Sequence, residues 1–357
     1  MRSVVIVQET LPHYRLEFFE NLRDRLSIER VRLDVVAGQP STKAAMRGDQ
    51  AMIPWAKYRR SKRFGKLVWQ PVWRDIGEAD LVVVEHANRL LVNYLLAGQR
   101  VFGRGTRLAF WGHGANLQAN RRGPAEQFKT LSVRWPDWWF AYTSGSADRV
   151  IDSGFPASRV TIVQNSQSVM VTQQIGSIAR EPFKCVFVGG LHRAKRLRFL
   201  LDIADEAYSL CPTFRLVVIG DGESREDVAT CGKAHVEYKG PLFGLEKAKA
   251  IKSSSLLLMP GLVGLVVIDS FAAETPVVTE NSELHSPEFE YLVDGWNSLV
   301  LASGPTPREY ARGIVEALNC PTYLDQLRSG CRRSSLLYSL DAMVENFATG
   351  VLEALRL

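Results

Sequence analysis

Met259-Pro260-Gly261-Leu262-Val263-Gly264-Leu265-Val266-Val267-Ile268-Asp269-Ser270-Phe271-Ala272-Ala273-Glu274-Thr275-Pro276-Val277-Val278 is the stretch from which the fold is read. An apolar run, Leu256–Met259, stops at a Pro-Gly turn. A loop holding a second glycine, Gly264, leads into an apolar helical segment, Val267–Ala273, and a β-branched run, Val277–Thr279, follows. Strand, loop, helix and strand in that order make a βαβ unit, whose strands lie parallel because the helix carries the chain back over the sheet. The loop amides and the helix N-terminus suit an anion. Asp269, in the first turns of the helix, can accept hydrogen bonds from a ribose diol. It can equally be an acid that only favours the helix dipole. On these residues alone both readings stand.

Working outward, the same alternation recurs. Lys184–Val188, Arg215–Ile219 and His235–Tyr238 read as strands, with helices over Leu197–Ser209 and Leu245–Ser253. Nearer the N-terminus, Val4–Val7, Arg32–Val36, Leu81–Glu85 and Leu108–Trp111 read as strands, and Tyr14–Leu26 and Leu91–Val101 as helices. Near-continuous apolar strands followed by helices indicate parallel sheets covered on both faces. The expected fold is therefore α/β, two doubly wound Rossmann-like domains in tandem. Their boundaries are 1–168 and 182–340, joined through the polar stretch Asn165–Pro182. A terminal helix, Asp341–Leu357, has an apolar stripe at Met343, Phe347, Val351 and Leu355. It either packs on the second domain or crosses back to the first.

Composition narrows the class. A chain of 357 residues with 46% apolar content fits two domains, and 23% charged residues argue against wholesale disorder. Five cysteines without a CxxC pair read as reduced thiols in a cytoplasmic protein, and the six histidines do not join them at zinc-ligand spacing. The first apolar run is too short for a signal peptide, and no run of about 18 apolar residues could span a membrane. The formal net charge of +6 favours anionic partners. Six basic residues and no acid fall within Ile53–Lys66, among Trp55, Tyr58 and Phe64. That segment reads either as a docking face for an anionic membrane or as a solvated basic loop.

Open α/β sheets place ligands beyond the carboxyl ends of their strands, so the loops there hold the candidate chemistry. After the first strand come Pro12, His13, Tyr14 and Arg15, with no GxGxxG fingerprint of a dinucleotide site. After Leu108–Trp111, His113 lies between Gly112 and Gly114, where it either approaches a ligand or is satisfied by local backbone. After Lys184–Val188, Gly189-Gly190 precedes His192, Arg193, Lys195 and Arg196 at a helix N-terminus. Such a set suits a diphosphate, and a Gly-Asp-Gly turn at Gly220–Gly222 adds to it.

In this order, the Gly189-Gly190…Lys195 loop, Val217–Gly222, Val236–Leu242, Met259–Val278 and His285–Asn297 resemble the retaining GT-B glycosyltransferases of family four (glycosyl transferases group 1). The subgroup resembled has a Pro-Gly-x-Val-Gly-Leu loop. Pro12–Arg15 and Trp111–Gly114 extend the resemblance into the first domain. It implies two Rossmann-like domains facing across a cleft, a nucleotide-sugar donor on the C-terminal domain, an acceptor on the N-terminal one, and no metal or other cofactor. It further implies Lys195 on the donor diphosphate, Asp269 on the ribose, and His113 near the transferred sugar. Gly189, Gly190, Arg193, Arg196, Tyr238, Pro241, Leu242, Gly261, Leu262, Val263, Gly264 and Leu265 would surround the donor, and His13, Tyr14 and Arg15 the acceptor. The chain departs from the family pattern at Gly261, where a glutamate is usual, at Gly190, where an arginine is usual, and at Asp269, a shortened glutamate. The expected function is metal-independent hexosyl transfer to a glycan or lipid-linked acceptor in bacterial surface polysaccharide or glycolipid synthesis. It would take place in the cytoplasm or peripherally on the inner face of the plasma membrane, with no nucleic acid as partner. The rival readings are a nucleotide-sugar epimerase on the same fold, a catalytically silent sugar-nucleotide-binding relative, and a nucleic-acid binder using the basic segment.

Overall fold

The computed structural model describes residues 1–39, 52–101, 106–114 and 130–357. The chain divides into two compact units, one of Met1–Ser168 with Leu340–Leu357 and the other of Val169–Ser339.

The described residues of the first unit form nine strands: β1 (Arg2–Gln8), β2 (Val31–Gly38), β3 (Lys57–Arg59), β4 (Lys62–Phe64), β5 (Leu67–Trp69), β6 (Leu81–Glu85), β7 (Arg107–Gly112), β8 (Trp138–Ala141) and β9 (Val160–Ile162). Seven of them form a parallel sheet in the order β3-β2-β1-β6-β7-β8-β9, while β4 and β5 pair as an antiparallel hairpin. Successive side chains of a strand face opposite ways. Val4 and Ile6 of β1 therefore enter a core with Phe18 and Phe347, whereas Val5 and Val7 enter a second core with Val68, Val72 and Leu96. The terminal helix Leu340–Ala354 packs on helix Leu16–Ile28 and on β8 and β9. Phe347 stacks on Phe140 at 4.2 Å and meets Trp111 edge-on at 5.0 Å. Helix Leu16–Ile28 starts later than its apolar pattern suggests, because His13–Arg15 first make a tight turn closed by Arg15 N–H on Pro12 O at 3.0 Å.

The second unit carries β10 (Lys184–Val188), β11 (Arg215–Ile219), β12 (Val236–Gly240), β13 (Leu256–Leu258), β14 (Val277–Glu280) and β15 (Ser298–Leu301). All run parallel, in the order β12-β11-β10-β13-β14-β15. Arg180, in the polar stretch before Pro182, caps two helices at once. Its guanidinium donates to the carbonyls of Lys252 (2.9 Å) and Ser254 (2.7 Å) after helix Gly244–Lys252. It also donates to those of Ala273 (2.8 Å) and Glu274 (2.7 Å) after helix Val266–Ala273, and to Thr275 Oγ1 (3.0 Å). Burial pulls it down to about 10.

Each sheet reverses direction once beside its first strand, between β1 and β6 in one unit and between β10 and β13 in the other. Strands on either side of such a reversal send their following chain to opposite faces, which opens a crevice at their carboxyl ends. Among the described residues no helix is long and apolar enough to cross a membrane.

Candidate functional site

The reversal in the second unit brings together the loop after β10 and the loop after β13. Gly189 ends β10 with its N–H on Ile219 O at 3.1 Å, so that amide does not face a ligand. Gly189, expected among the residues around the donor, thus spends its amide on a strand-end bond. Gly220 is a glycine because a Cβ there would collide with Gly189 O, and the Gly-Asp-Gly turn supports this loop rather than offering a second phosphate cradle. Leu191 N–H reaches Asp221 O at 2.9 Å. The chain then makes a single turn, Arg193–Lys195, and Arg196 takes a left-handed conformation (φ 54°) before helix Leu197–Leu210. A non-glycine residue there costs roughly 1 kcal/mol. Arg196 is held by Glu280, by Pro260 O at 3.1 Å and by the Phe199 ring at 4.0 Å.

Arg196 is therefore a brace beneath the second loop, not a side chain reaching for phosphate. Arg193 is exposed, and its N–H bonds Glu223 Oε1 at 3.1 Å. Together with Arg196, Glu223 and Asp227 it lines a shallow depression of about 490 Å³.

The loop after β13 lies directly on the Lys195 turn. A Cβ at Gly261 would sit 2.6 Å from Lys195 C and 2.8 Å from Lys195 Cα, inside any real contact distance. The glycine at this position is thus a packing requirement. The polar backbone of the loop is tied down almost atom by atom. Leu262 N–H donates to Ala194 O (2.9 Å), and Leu262 O accepts from Lys195 Nζ (2.5 Å). Val263 N–H donates to His285 Nδ1 (3.1 Å), and Val263 O accepts from Ser286 N–H (3.1 Å). His285 Nε2 in turn donates to Glu280 O at 2.8 Å, which fixes its neutral tautomer, and burial lowers its basicity. After this clamp the amides of Gly264 and Val266, at the start of helix Val266–Ala273, have no hydrogen-bond partner among the described residues. First-turn amides with the dipole behind them form an anion site.

Lys195 is the charge beside that site. It is 7% exposed and is pulled down to about 8, chiefly by burial, with Glu288 opposing the shift. Asp269 is 5% exposed, and both its oxygens lie 3.0 Å from Lys247 Nζ. Lys247, on helix Gly244–Lys252, and His285 were given no role by the sequence. Nothing in their local spacing marks them, because each acts on a group 22 residues away. Tyr238 is half-buried and donates to Gly220 O at 3.0 Å. Leu242 is half-buried and Pro241 exposed, and Phe243 (62% exposed) continues this apolar rim.

In the first unit, His13 is exposed and Tyr14 half-buried. Arg15 departs from its expected acceptor-side position. It is 4% exposed, bound to Asn165 Oδ1, Ser166 O and Met343 Sδ, and sits 5.0 Å from the Trp111 ring. It bolts the interior of the unit together. His113 follows β7 half-buried, with its ring 4.5 Å from that of Tyr142. Ala115 and Asn116 lie outside the described residues.

The basic segment is partly neutralised by acids outside it. Arg59 pairs with Asp75 (2.8 and 2.5 Å), Arg63 pairs with Glu9 (2.9 Å), and Trp55 Nε1 donates to Glu20 (2.8 Å). Arg60, Lys62 and Lys66 remain exposed.

Residues 182–320 match the model of the family described as glycosyl transferases group 1. A sequence search of curated proteins gave no significant match. Among solved structures, the chain is similar to the lipopolysaccharide outer core galactosyltransferase WaaB in its apo form (TM-score 0.70, 14% identity, 98% of this chain and 99% of that one). It is also similar to Anabaena HepE in complex with UDP (0.67, 15%, 99% and 100%). A third similarity is to a Staphylococcus aureus TarM variant in complex with fondaparinux, α-GlcNAc-glycerol and UDP (0.68, 9%, 99% and 100%). The fold is GT-B, two Rossmann-like halves with parallel sheets. The similarity to these structures gives the fold, and the glycosyl transferases group 1 pattern lies on residues 182–320.

Proposed function

We propose that the chain is a retaining glycosyltransferase. It moves a hexose from a nucleotide-sugar, in the first instance a UDP-sugar, to a glycan or lipid-linked acceptor of bacterial surface polysaccharide or glycolipid synthesis. One observation carries the reading. At the β10/β13 reversal the 260–264 loop is clamped onto the Lys195 turn, so that a buried ammonium and the Gly264 and Val266 amides are offered at one place. The UDP named with HepE and TarM supports the choice of nucleotide.

Transfer passes through an oxocarbenium-like state. As the bond from the anomeric carbon to the diphosphate oxygen lengthens, negative charge gathers on the leaving group. Lys195 and the helix amides meet that charge, and such preorganised groups contribute several kcal/mol. With glycine at 261, the reading has the acceptor hydroxyl attack from the face the diphosphate leaves. Its oxygen bonds to the anomeric carbon, and its proton passes to the departing phosphate oxygen, giving a glycoside of retained configuration and a nucleoside diphosphate. Charge neutralisation is assigned to Lys195 and the amides rather than to a metal. Asp269, fixed by Lys247, orients the ribose end.

A thermal-shift screen of UDP, GDP, ADP and dTDP tests the donor site, since a ligand at about 100 times its Kd stabilises by about 2.7 kcal/mol. UDP is expected to raise the melting temperature, and Lys195→Ala to lose most of that rise and most turnover while keeping its fold. No response to any nucleotide sinks the reading, and donor turnover without an acceptor turns it toward an epimerase.

A further inference from the structure

The reversal in the first unit, between β1 and β6, carries a cluster that the donor chemistry does not use. Glu9 follows β1 and Glu85 ends β6. Glu9 N–H donates to Glu85 Oε1 at 3.2 Å, which joins the two strand ends. The Glu9 carboxylate holds Arg63, from the β4–β5 hairpin, at 2.9 Å and Arg89, from the loop after β6, at 2.5 Å. Both arginine side chains are more than half exposed, while Glu85 is only partly covered.

Two buried carboxamides sit at these same strand ends. Gln70 (1% exposed) donates through Nε2 to Gln8 O at 2.9 Å, and Asn93 (4% exposed) donates through Nδ2 to Glu85 O at 2.8 Å. A planar amide keeps its oxygen beside its nitrogen, so the oxygens of Gln70 and Asn93 lie next to the carbonyls of Gln8 and Glu85. Among the described residues neither oxygen has a hydrogen-bond partner. A buried acceptor without a donor is uncommon in a folded chain and calls for a hydroxyl or water partner.

We propose that the carboxyl ends of β1 and β6 form a carbohydrate-hydroxyl site for the acceptor, in which the Glu85 carboxylate accepts hydrogen bonds from acceptor hydroxyls and Arg63 and Arg89 form the rim. The proposal rests on the glycosyltransferase reading for the identity of its ligand. Its chemistry is fitted to a sugar: the Glu85 carboxylate accepts and the two guanidinium groups donate, and hydroxyls meet both without bringing charge. A free anion would meet the Glu85 carboxylate as well as the two arginines. Glu85 is also poised near neutrality. Desolvation pushes it up to about 7, the Glu9 charge pushes the same way, and the Glu9 N–H, Arg89 and Arg15 oppose this. Arg63 acts on it through Glu9. Protonation removes acceptor capacity, so acceptor binding weakens as pH falls through about 7.

The test uses the full chain, UDP-hexoses as donors and the octyl glycosides of glucose, galactose and N-acetylglucosamine as acceptors, between pH 6 and 8.5. The wild type should show an acceptor KM that rises toward low pH. Glu85→Gln should raise KM at pH 8 at least tenfold, with a smaller change in kcat, abolish the pH dependence and keep the UDP-induced thermal shift. Arg89→Ala, at an exposed position, leaves the Glu9 charge less compensated and should move the rise in KM to higher pH. A Glu85→Gln variant with KM within twofold of wild type overturns the proposal. So does an Arg89→Ala profile that does not move, or a wild type that binds UDP yet transfers to none of the glycosides. A wild type that binds no nucleotide overturns the donor reading itself, and this proposal with it.

Discussion

Replacing Gly261 by the glutamate usual in the resembled family should damage the protein rather than improve it. The Cβ of any residue at 261 would lie 2.6 Å from Lys195 C and 2.8 Å from Lys195 Cα, whereas ordinary contacts begin near 3.4 Å. These neighbours are backbone and cannot swing aside, so the loop must back away by the better part of an ångström. Overpacking of this kind costs about 1–3 kcal/mol. The movement also breaks the Leu262–Ala194 hydrogen bond, worth about 1 kcal/mol net. A loss of roughly 2–4 kcal/mol in a unit of this size lowers its melting temperature by about 4–16 °C. Gly261→Ala should show most of the effect, because the clash begins at Cβ, and Gly261→Glu should be no better. Thermal and urea unfolding, each with and without UDP, measure it. The displaced Leu262 carbonyl also releases Lys195, so the UDP-induced shift should shrink in both variants. An alanine variant within 0.5 kcal/mol of wild type with an unchanged UDP shift would refute the packing argument. A glutamate variant with raised turnover would refute the view that backbone does the work of the missing side chain.

Two further outcomes follow from buried cations. Lys195 in the free protein is held near 8 by burial, and a bound diphosphate favours its charged form. UDP affinity should therefore be flat below about pH 8 and weaken above it, by up to about tenfold per pH unit. Calorimetric titration in buffers of different ionisation enthalpy should show proton uptake on binding near pH 8, and Lys195→Ala should remove both effects. Arg180→Met strips a charged donor from four carbonyls and one hydroxyl. Charged hydrogen bonds are worth about 1.5–3 kcal/mol each and are not additive, so a loss of at least about 3 kcal/mol is expected in urea unfolding of the second unit. A loss below 1 kcal/mol would mean the cap is not stabilising.

β10 and β11 were legible because they are continuous apolar runs ended by glycine, whereas β15, Ser298–Leu301, was not read from the sequence. β10 and β11 span the stretches their composition indicates, Lys184–Val188 and Arg215–Ile219. The place of the loops proposed to hold the donor was legible too, since they follow β10 and β13. What each residue does there was not. Gly261 reads as a lost side chain until the Lys195 backbone is found against it. Arg15 reads as a loop cation, yet it is buried against Asn165, Ser166 and Met343, partners some 150 to 330 residues away. The basic segment reads as a surface charge because Asp75 and Glu9, which neutralise part of it, lie outside it in sequence. Periodicity reports burial along one element. Pairings between elements depend on topology, which a local pattern does not contain.

Topology also explains why the two reversals differ in charge. At the β10/β13 reversal the backbone of Leu262 and Val263 is bonded, the Gly264 and Val266 amides are left as donors, and the full charge added beside them is the ammonium of Lys195, opposed at longer range by Glu288. At the β1/β6 reversal two carboxylates meet, Glu9 is compensated by Arg63 and Arg89, and the nearby unbonded groups are buried amide oxygens. A diphosphate placed at the β1/β6 reversal would meet the Glu85 carboxylate, whose repulsion opposes the attraction of Arg63 and Arg89. A sugar hydroxyl placed at the β10/β13 reversal would find donors where it chiefly needs acceptors. In the reading developed above, the same crevice geometry therefore serves two ligands, and charge rather than fold assigns the donor to the second unit and the acceptor to the first.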